Sequence, residues 1–355
     1  MNKNKNAARK AVSLRLMALT TTALVGLTLP VAAHAQEWTG ATSSNWFNTG
    51  NWSTGQVPTA ADDVTIEHTS GQSPRISGVG NNATAKTVTV GDINTGDLAD
   101  FTIQDGGTLT STSGVIGNLA GAEGNVAVGP NGANLAKWTN SGTLVIGNAG
   151  SGVLSIGNGE VTNTDGTIGA LAGSNGYVGL SSANALWTNH GDLTVGDSGS
   201  GTLQIFNGGK VISAHSYIGR NAGSDGAVTV SGAGSEWNGT GVLTVGDSGT
   251  GTFNILNGGA ASHYRGFIGF GSGSNGLVTV DGAGSSWTIA DFLRVGATGN
   301  GSLTISNGGK VDNAEGSISA GSGSGTVTVT GAGSTWTNNG DLTVGYVNSG
   351  SLDIA

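Results

Sequence analysis

Residues 187–209 read WTNHGDLTVGDSGSGTLQIFNGG, and the same order of residue types returns along much of the chain. A leucine follows the tryptophan by six residues, an aliphatic-Gly step comes next, and Asn-Gly-Gly closes the stretch. Self-similarity at a fixed period of this length is the signature of a repeat array. The tryptophans that mark the repeat are spaced by 49, 50, 50 and 49 residues: Trp138, Trp187, Trp237, Trp287 and Trp336.

Each repeat divides into two similar halves. Aliphatic-Gly steps recur from Gly91 to Gly345, with Ile318-Ser319 at the one missing step, and these 254 residues over ten intervals give about 25 residues per step. Alternating stretches such as Leu203-Gln204-Ile205 place one row of side chains inward and the other in water. A single turn cannot bury its inner row, but stacked turns can. We therefore predict an all-β fold, a right-handed parallel β-helix over residues 86–355 with about eleven turns.

The composition fits such an array and excludes several classes of protein. Gly is 67 of 355 residues and Pro only 4, which excludes collagen, and 36% of residues are hydrophobic, which argues against disorder. There is no Cys, so no disulfide or thiolate site is possible. After residue 35, 8 basic and 22 acidic residues remain, a net charge of −14. An acidic chain without basic clusters argues against nucleic acid as a partner.

The N-terminus has the pattern of an export signal. Residues 1–15 are basic, Leu16 to Leu29 is mostly apolar, and Ala33-His34-Ala35 is a cleavage pattern of small residues. We expect residues 1–35 to be a signal peptide cut between Ala35 and Gln36. A membrane anchor is the alternative interpretation, although the apolar stretch is short for one. The expected location is the cell surface, the outer membrane or the exterior.

The tryptophans and the two ends of the array have more than one interpretation. We expect the repeat tryptophans to cover or extend the core at a corner; the alternative is an exposed row that binds sugar rings.

Residues 36–85 do not fit the repeat and are rich in tryptophan, so we predict an N-terminal cap that merges into the first turn, with a sugar-binding module as the alternative. The chain stops at Ala355 in mid-repeat, so we expect a fragment.

No motif for catalysis, a cofactor or a metal stands out. The densest titratable cluster is Asp62-Asp63 with Glu67 and His68, inside the predicted cap. The other acids are scattered over turns, and the histidines have no metal-ligand spacing. His263-Tyr264-Arg265 is the most unusual insert in the array, and we interpret it as a solvated loop variant. We expect no enzyme, no cofactor and no metal.

The chain resembles the passenger domains of autotransporters, which belong to type V secretion. The resemblance lies in Gly232 to Trp237 (Gly-Ala-Gly-Ser-x-Trp), Leu193 to Gly196 (Leu-Thr-Val-Gly), Asn207 to Gly209 (Asn-Gly-Gly), and the opening Trp38-Thr39-Gly40. It implies an outer-membrane β-barrel as a partner, encoded downstream and absent from this sequence. It also implies a non-catalytic, adhesin-like surface protein that binds host or neighbouring cells, or carbohydrate. A polysaccharide lyase or hydrolase on the same solenoid, and a stalk for a missing domain, are the alternatives.

Overall fold

The computed structural model describes residues 35–355, apart from 68–70 and 94–96. These residues belong to one compact unit built from three parallel strand ladders, which confirms the predicted all-β parallel solenoid with about 25 residues per turn. The predicted signal peptide falls on residues outside the described part, except for Ala35. Within the described ranges, no helix has the length and hydropathy needed to cross a bilayer.

Ladder 1 is a sheet of 12 strands in which each strand pairs with the same strand of the next turn. Its strands are Arg75–Ser77, Leu98–Gln104, Glu123–Val128, Ser151–Ile156, Asn175–Leu180, Ser200–Phe206, Asp225–Ser231, Thr250–Leu256, Asn275–Asp281, Asn300–Ser306, Gly325–Thr330 and Gly350–Ile354.

Ladders 2 and 3 together form a sheet of 22 strands, because two long strands, Ser286–Val295 and Lys310–Ile318, run through both. The other strands of ladder 2 are Asn82–Thr84, Thr108–Ser111, Ala136–Asn140, Gly159–Asn163, Leu186–Asn189, Lys210–Ser213, Glu236–Gly239, Ala260–His263 and Thr335–Asn338. Those of ladder 3 are Ala35–Glu37, Asp63–Ile66, Thr87–Val90, Ser113–Ile116, Leu144–Ile146, Gly166–Ile168, Leu193–Val195, Ser216–Ile218, Val242–Val245, Arg265–Ile268 and Leu342–Val344.

The solenoid has about thirteen turns, against the about eleven turns and an N-terminal cap that the sequence predicted. The difference lies in residues 36–85, which lack the aliphatic-Gly marker and yet contribute strands to the ladders. Asp63–Ile66 pairs with Thr87–Val90 in ladder 3, and Arg75–Ser77 pairs with Leu98–Gln104 in ladder 1. The three tryptophans of this segment are buried in the continuous core, where Trp46 packs against Phe101. A short 3₁₀ turn, Thr49–Asn51, lies between Trp46 and Trp52.

The aliphatic-Gly step is required by a close approach between turns. At Gly196 the backbone has φ +71°, and a Cβ there would lie 2.5 Å from the carbonyl oxygen of Asp225 on the next turn. Only Gly avoids that clash while adopting a left-handed conformation at little cost. Where the step has no Gly, Ser319 adopts the same left-handed conformation with φ 57°.

Large and small side chains alternate from one turn to the next, which explains why the repeat is two turns long. In ladder 2, buried tryptophans alternate with smaller residues, so that Trp187 lies between Val161 and Val211. In ladder 3, Leu293 pairs with Gly266, where a Cβ would lie 2.8 Å from Leu293 Cδ1 and 3.2 Å from Trp287 Cζ2. The Gly of one turn therefore leaves room for the indole and the leucine of the next, as close packing of the core requires.

A row of buried polar side chains accompanies the tryptophans. Each indole N–H donates to a side chain on the preceding turn, because a buried Trp needs a partner for this group. The pairs and donor–acceptor distances are Trp138 with Ser111 at 3.1 Å, Trp187 with Asn163 at 2.7 Å, Trp237 with Ser213 at 3.1 Å, Trp287 with His263 at 3.2 Å and Trp336 with Asn313 at 2.7 Å. The repeat tryptophans therefore face the core and not the solvent.

Candidate binding surface

The outward face of ladder 3 carries small residues on most turns and large ones on a few. The middle residue of each strand forms this row, in the order Val115, Val145, Thr167, Thr194, Tyr217, Thr244, Phe267, Arg294, Ser317 and Thr343. Aromatic and arginine side chains thus interrupt a row of short ones around Phe267 and Arg294. Local departures from a repeat are where a functional surface is expected.

Three phenylalanines form a cluster at this interruption. The ring centroids of Phe267 and Phe270 are 4.9 Å apart, and those of Phe267 and Phe292 are 5.3 Å apart, both in edge-to-face arrangements. Phe267 and Phe292 lie on consecutive turns, brought together by the stacking of ladder 3. Phe270 is 44% exposed, so part of this apolar cluster faces solvent.

Two arginines lie over these rings. The guanidinium carbon of Arg294 is 4.5 Å from the centroid of Phe292, and that of Arg265 is 4.9 Å from the same ring. Arg265 also lies 5.0 Å from the ring of Tyr264, which is 46% exposed. Stacking of this kind fixes the orientation of both the rings and the guanidinium groups. We call the six residues Tyr264, Arg265, Phe267, Phe270, Phe292 and Arg294 the Phe–Arg patch.

Carboxylates border the patch. Arg265 Nε donates to Asp291 Oδ2 at 2.7 Å, and this hydrogen bond raises the pKa of the Arg265 guanidinium. Arg294 has no carboxylate within 4.0 Å among the residues that the structure describes. Beside it lies a cleft of about 190 Å³, lined by Phe292, Arg294, Glu315, Gly316, Ser317, Asp341 and Thr343. The cleft therefore offers hydrogen-bond donors and acceptors next to an aromatic ring.

The strand pairing is irregular beside the patch. Strand Ser286–Val295 continues through the corner between ladders 2 and 3, and its pairing with Lys310–Ile318 shifts register between Ile289 and Phe292. An irregularity of this kind changes the direction in which the neighbouring side chains point. At the position of Phe292 the other units carry Thr143, Asp192, Val242 and Asp341, and at the position of Arg294 they carry Val145, Thr194, Thr244 and Thr343.

The insert His263-Tyr264-Arg265 is not a solvated loop, so that interpretation was wrong. His263 ends strand Ala260–His263, is 3% exposed and accepts the indole N–H of Trp287 at Nδ1. Burial lowers the pKa of His263 to about 3, which keeps the imidazole neutral. Only Tyr264 and Arg265 face outward. The insert therefore supplies one core residue and two members of the Phe–Arg patch.

The acidic cluster of the N-terminal segment is occupied by structural contacts. Asp62 Oδ2 accepts the backbone N–H and the hydroxyl of Thr59, both at 2.8 Å, and Asp63 pairs with Lys86 at 3.1 Å. Glu67 accepts backbone N–H groups of Asp92 and Ile93, while burial raises its pKa. His68 lies outside the described residues. In the ranges that the structure covers, no three His, Cys, Asp or Glu side chains are grouped to hold a metal ion.

The chain is similar in part to known proteins. A family model described as a domain of unknown function, DUF8693, matches residues 37–165. No curated protein matches the chain. Among solved structures, the chain is similar to a TibC-catalysed hyper-glycosylated TibA fragment, with 19% sequence identity, 81% of this chain and 97% of that chain covered, and a TM-score of 0.35.

Proposed function

We propose that the chain is an exported, surface-exposed solenoid of the autotransporter-passenger kind, that it acts by adhesive contact without catalysis, and that the Phe–Arg patch is its contact surface. The observation that carries the proposal is the clustering of Phe267, Phe270, Phe292 and Arg294 on one outward face, where most other turns carry small residues. Aromatic and arginine side chains dominate the energetics of binding surfaces.

The rest of the proposal rests on the sequence. The basic, apolar and small-residue order of residues 1–35 supports export, and the repeat motifs resemble those of passenger domains. A downstream outer-membrane β-barrel is the partner that this resemblance implies. Uniform turns support a scaffold that presents a surface at a fixed place, since a rigid array holds side chains in a defined geometry.

The proposal can be tested with a variant that restores the usual repeat residues within the patch, at little risk to the fold. We call it the repair variant. F267T/F270A/F292D/R294T leaves Tyr264 and Arg265 unchanged and replaces the other four patch residues with those at the same positions of earlier repeats, namely Thr167, Ala170, Asp192 and Thr194. The labelled full chain is added to cultured epithelial cells and to bacterial cells, and bound fluorescence is measured. We expect the repair variant to lose at least about tenfold in binding, because it removes the aromatic and arginine anchors.

The matched control is L119A/L171A, which removes two exposed apolar side chains on turns away from the patch. It is expected to bind like the unaltered chain. Equal binding by the repair variant and the unaltered chain would contradict the proposal and favour a stalk. Release of reducing ends from polysaccharides by the purified chain would contradict the non-catalytic part of it.

A further inference from the structure

The charges around the Phe–Arg patch restrict its ligand. Two turns before Phe267, Arg220 lies over the ring of Tyr217 and near Asp197, and Asp247 lies on the turn between. Asp291, Glu315 and Asp341 border the other side. Three arginines therefore stand among five carboxylates, on a chain of net charge −9. A polyanion would be repelled by this surface, since like charges brought together cost free energy.

The mixture of groups matches a ligand that both donates and accepts hydrogen bonds without carrying charge. The exposed rings of Tyr264 and Phe270 offer apolar faces, Arg294 offers a planar set of donors, and Glu315 and Asp341 offer acceptors. A sugar ring has the complementary make-up, with C–H groups on its faces and hydroxyl groups around its edge. Carboxylates and guanidinium groups bind neighbouring hydroxyls through paired hydrogen bonds.

A protein partner fits this surface less well. The core of a protein–protein interface is enriched in aromatic residues and arginine but depleted of aspartate and glutamate. Here Asp291 accepts a hydrogen bond from Arg265 within the patch, and Glu315 and Asp341 line the cleft beside Arg294. Carboxylates therefore stand at positions where a protein interface has few of them.

The stacking of turns aligns the groups of this surface along the solenoid axis. Phe267, Arg294 and Ser317 succeed one another in register along ladder 3, and Phe292 pairs with Glu315 on the next turn. Each turn rises by roughly 4.8 Å, so the surface from Tyr217 to Thr343 spans five turn spacings, or about 24 Å. A linear chain of sugar rings laid along the axis would meet aromatic and polar groups in turn.

We propose that the Phe–Arg patch binds an uncharged glycan along the solenoid axis, with a sugar ring stacked on Phe270 and hydroxyl groups held on the following turns by Arg294, Glu315 and Asp341. This inference rests on the proposed function and names the ligand class of the same surface. Each contact is weak, and several neighbouring turns contribute together.

The test uses the labelled full chain on an array of uncharged oligosaccharides of glucose, galactose, mannose and N-acetylglucosamine, with heparin and poly-L-lysine as charged probes. We expect binding to at least one uncharged oligosaccharide, a loss of at least about tenfold in the repair variant, and no loss in L119A/L171A. Because the ligand carries no charge, the affinity is expected to stay within about twofold between low and high salt.

The proposal is overturned if no uncharged oligosaccharide binds better to the unaltered chain than to the repair variant, or if heparin or poly-L-lysine is the probe captured through the patch. An array without signal, together with cell binding that depends on the patch, would refute the glycan and leave the proposed function intact. Cell binding that does not depend on the patch would refute the proposed function itself.

Discussion

The indole N–H of Trp187 donates to Oδ1 of Asn163 at 2.7 Å, inside the core and across two consecutive turns. Asn163 in turn donates to Oδ1 of Asn189 at 2.5 Å, so the amide links Trp187 to a second buried side chain. A buried polar group must find a partner, and here the partner lies one turn away in space and 24 residues away in the chain. The pairing ties the two halves of each repeat to each other.

Replacement of this acceptor is expected to destabilise the solenoid. Asn163→Leu leaves the Trp187 N–H without a partner in the core, at a cost of about 1–3 kcal/mol, so the thermal midpoint measured by circular dichroism falls. Asn163→Ser is expected to lose much less, because Ser111 and Ser213 accept the same bond in other repeats. Equal midpoints for the Leu and Ser variants would show that the hydrogen bond contributes nothing.

The alternation of large and small residues can be tested at Gly266. A Cβ there would lie 2.8 Å from Leu293 Cδ1, so Gly266→Ala overpacks the core and is expected to destabilise the fold by about 1–3 kcal/mol. Leu293→Ala removes the atom that clashes. The double variant G266A/L293A is therefore expected to be less destabilised than the sum of the two single variants. Strict additivity in thermal midpoints would contradict the packing described for ladder 3.

The buried histidine makes stability depend on pH in a defined window. The pKa of His263 is about 3 in the folded chain against 6.5 for an ordinary histidine, because burial disfavours the charged form. Between these values the unfolded chain binds a proton that the folded chain does not bind, so stability falls as the pH falls below about 6.5. The loss is at most about 1.4 kcal/mol per pH unit.

His263→Asn removes this titration and keeps an acceptor for Trp287, as Asn163 does for Trp187. We expect the unaltered chain to lose more thermal stability than H263N between about pH 7 and pH 5, since the carboxylates are common to both. Parallel curves of midpoint against pH for the two proteins would contradict a neutral His263 in the folded state.

The proposed export signal predicts the first residue of the mature chain. If residues 1–35 are removed, Gln36 is the first residue of the chain recovered outside the cytoplasm. N-terminal sequencing of that material is the measurement, and replacement of Ala33 and Ala35 by Arg is expected to block the cut, because cleavage needs small residues there. An exported chain that begins at Met1 would favour the membrane anchor.

Much of the fold follows from the sequence because each turn of the solenoid repeats the same pattern of core residues and turn glycines. Leu193, Leu243 and Leu293 are aligned in the core as their spacing predicted, and the Gly steps stand where turns approach closely. Residues 36–85 were predicted as a cap merging into the first turn, and Val64 and Ile66 pair into ladder 3 without the marker that identifies later turns. Apolar alternation in Asp63-Val64-Thr65-Ile66 was the available signal.

The binding surface was harder to predict than the fold. Phe267 and Phe292 are 25 residues apart, and they meet only because one turn lies on the next. The sequence drew attention to His263-Tyr264-Arg265, but two of its neighbours in space, Phe292 and Arg294, lie in the following unit. The signal that identifies them is their departure from the residues at the same positions of other units, such as Asp192 and Thr194.

The most direct test of the patch as a contact surface is site-specific photo-crosslinking on target cells. A photoreactive phenylalanine analogue is placed at position 270 in the patch, or at position 171, which is also exposed and lies on the same kind of corner several turns away. We predict cell-surface adducts from position 270 and few or none from position 171. Adducts in equal amount from both positions, or from position 171 alone, would contradict a contact surface at the Phe–Arg patch.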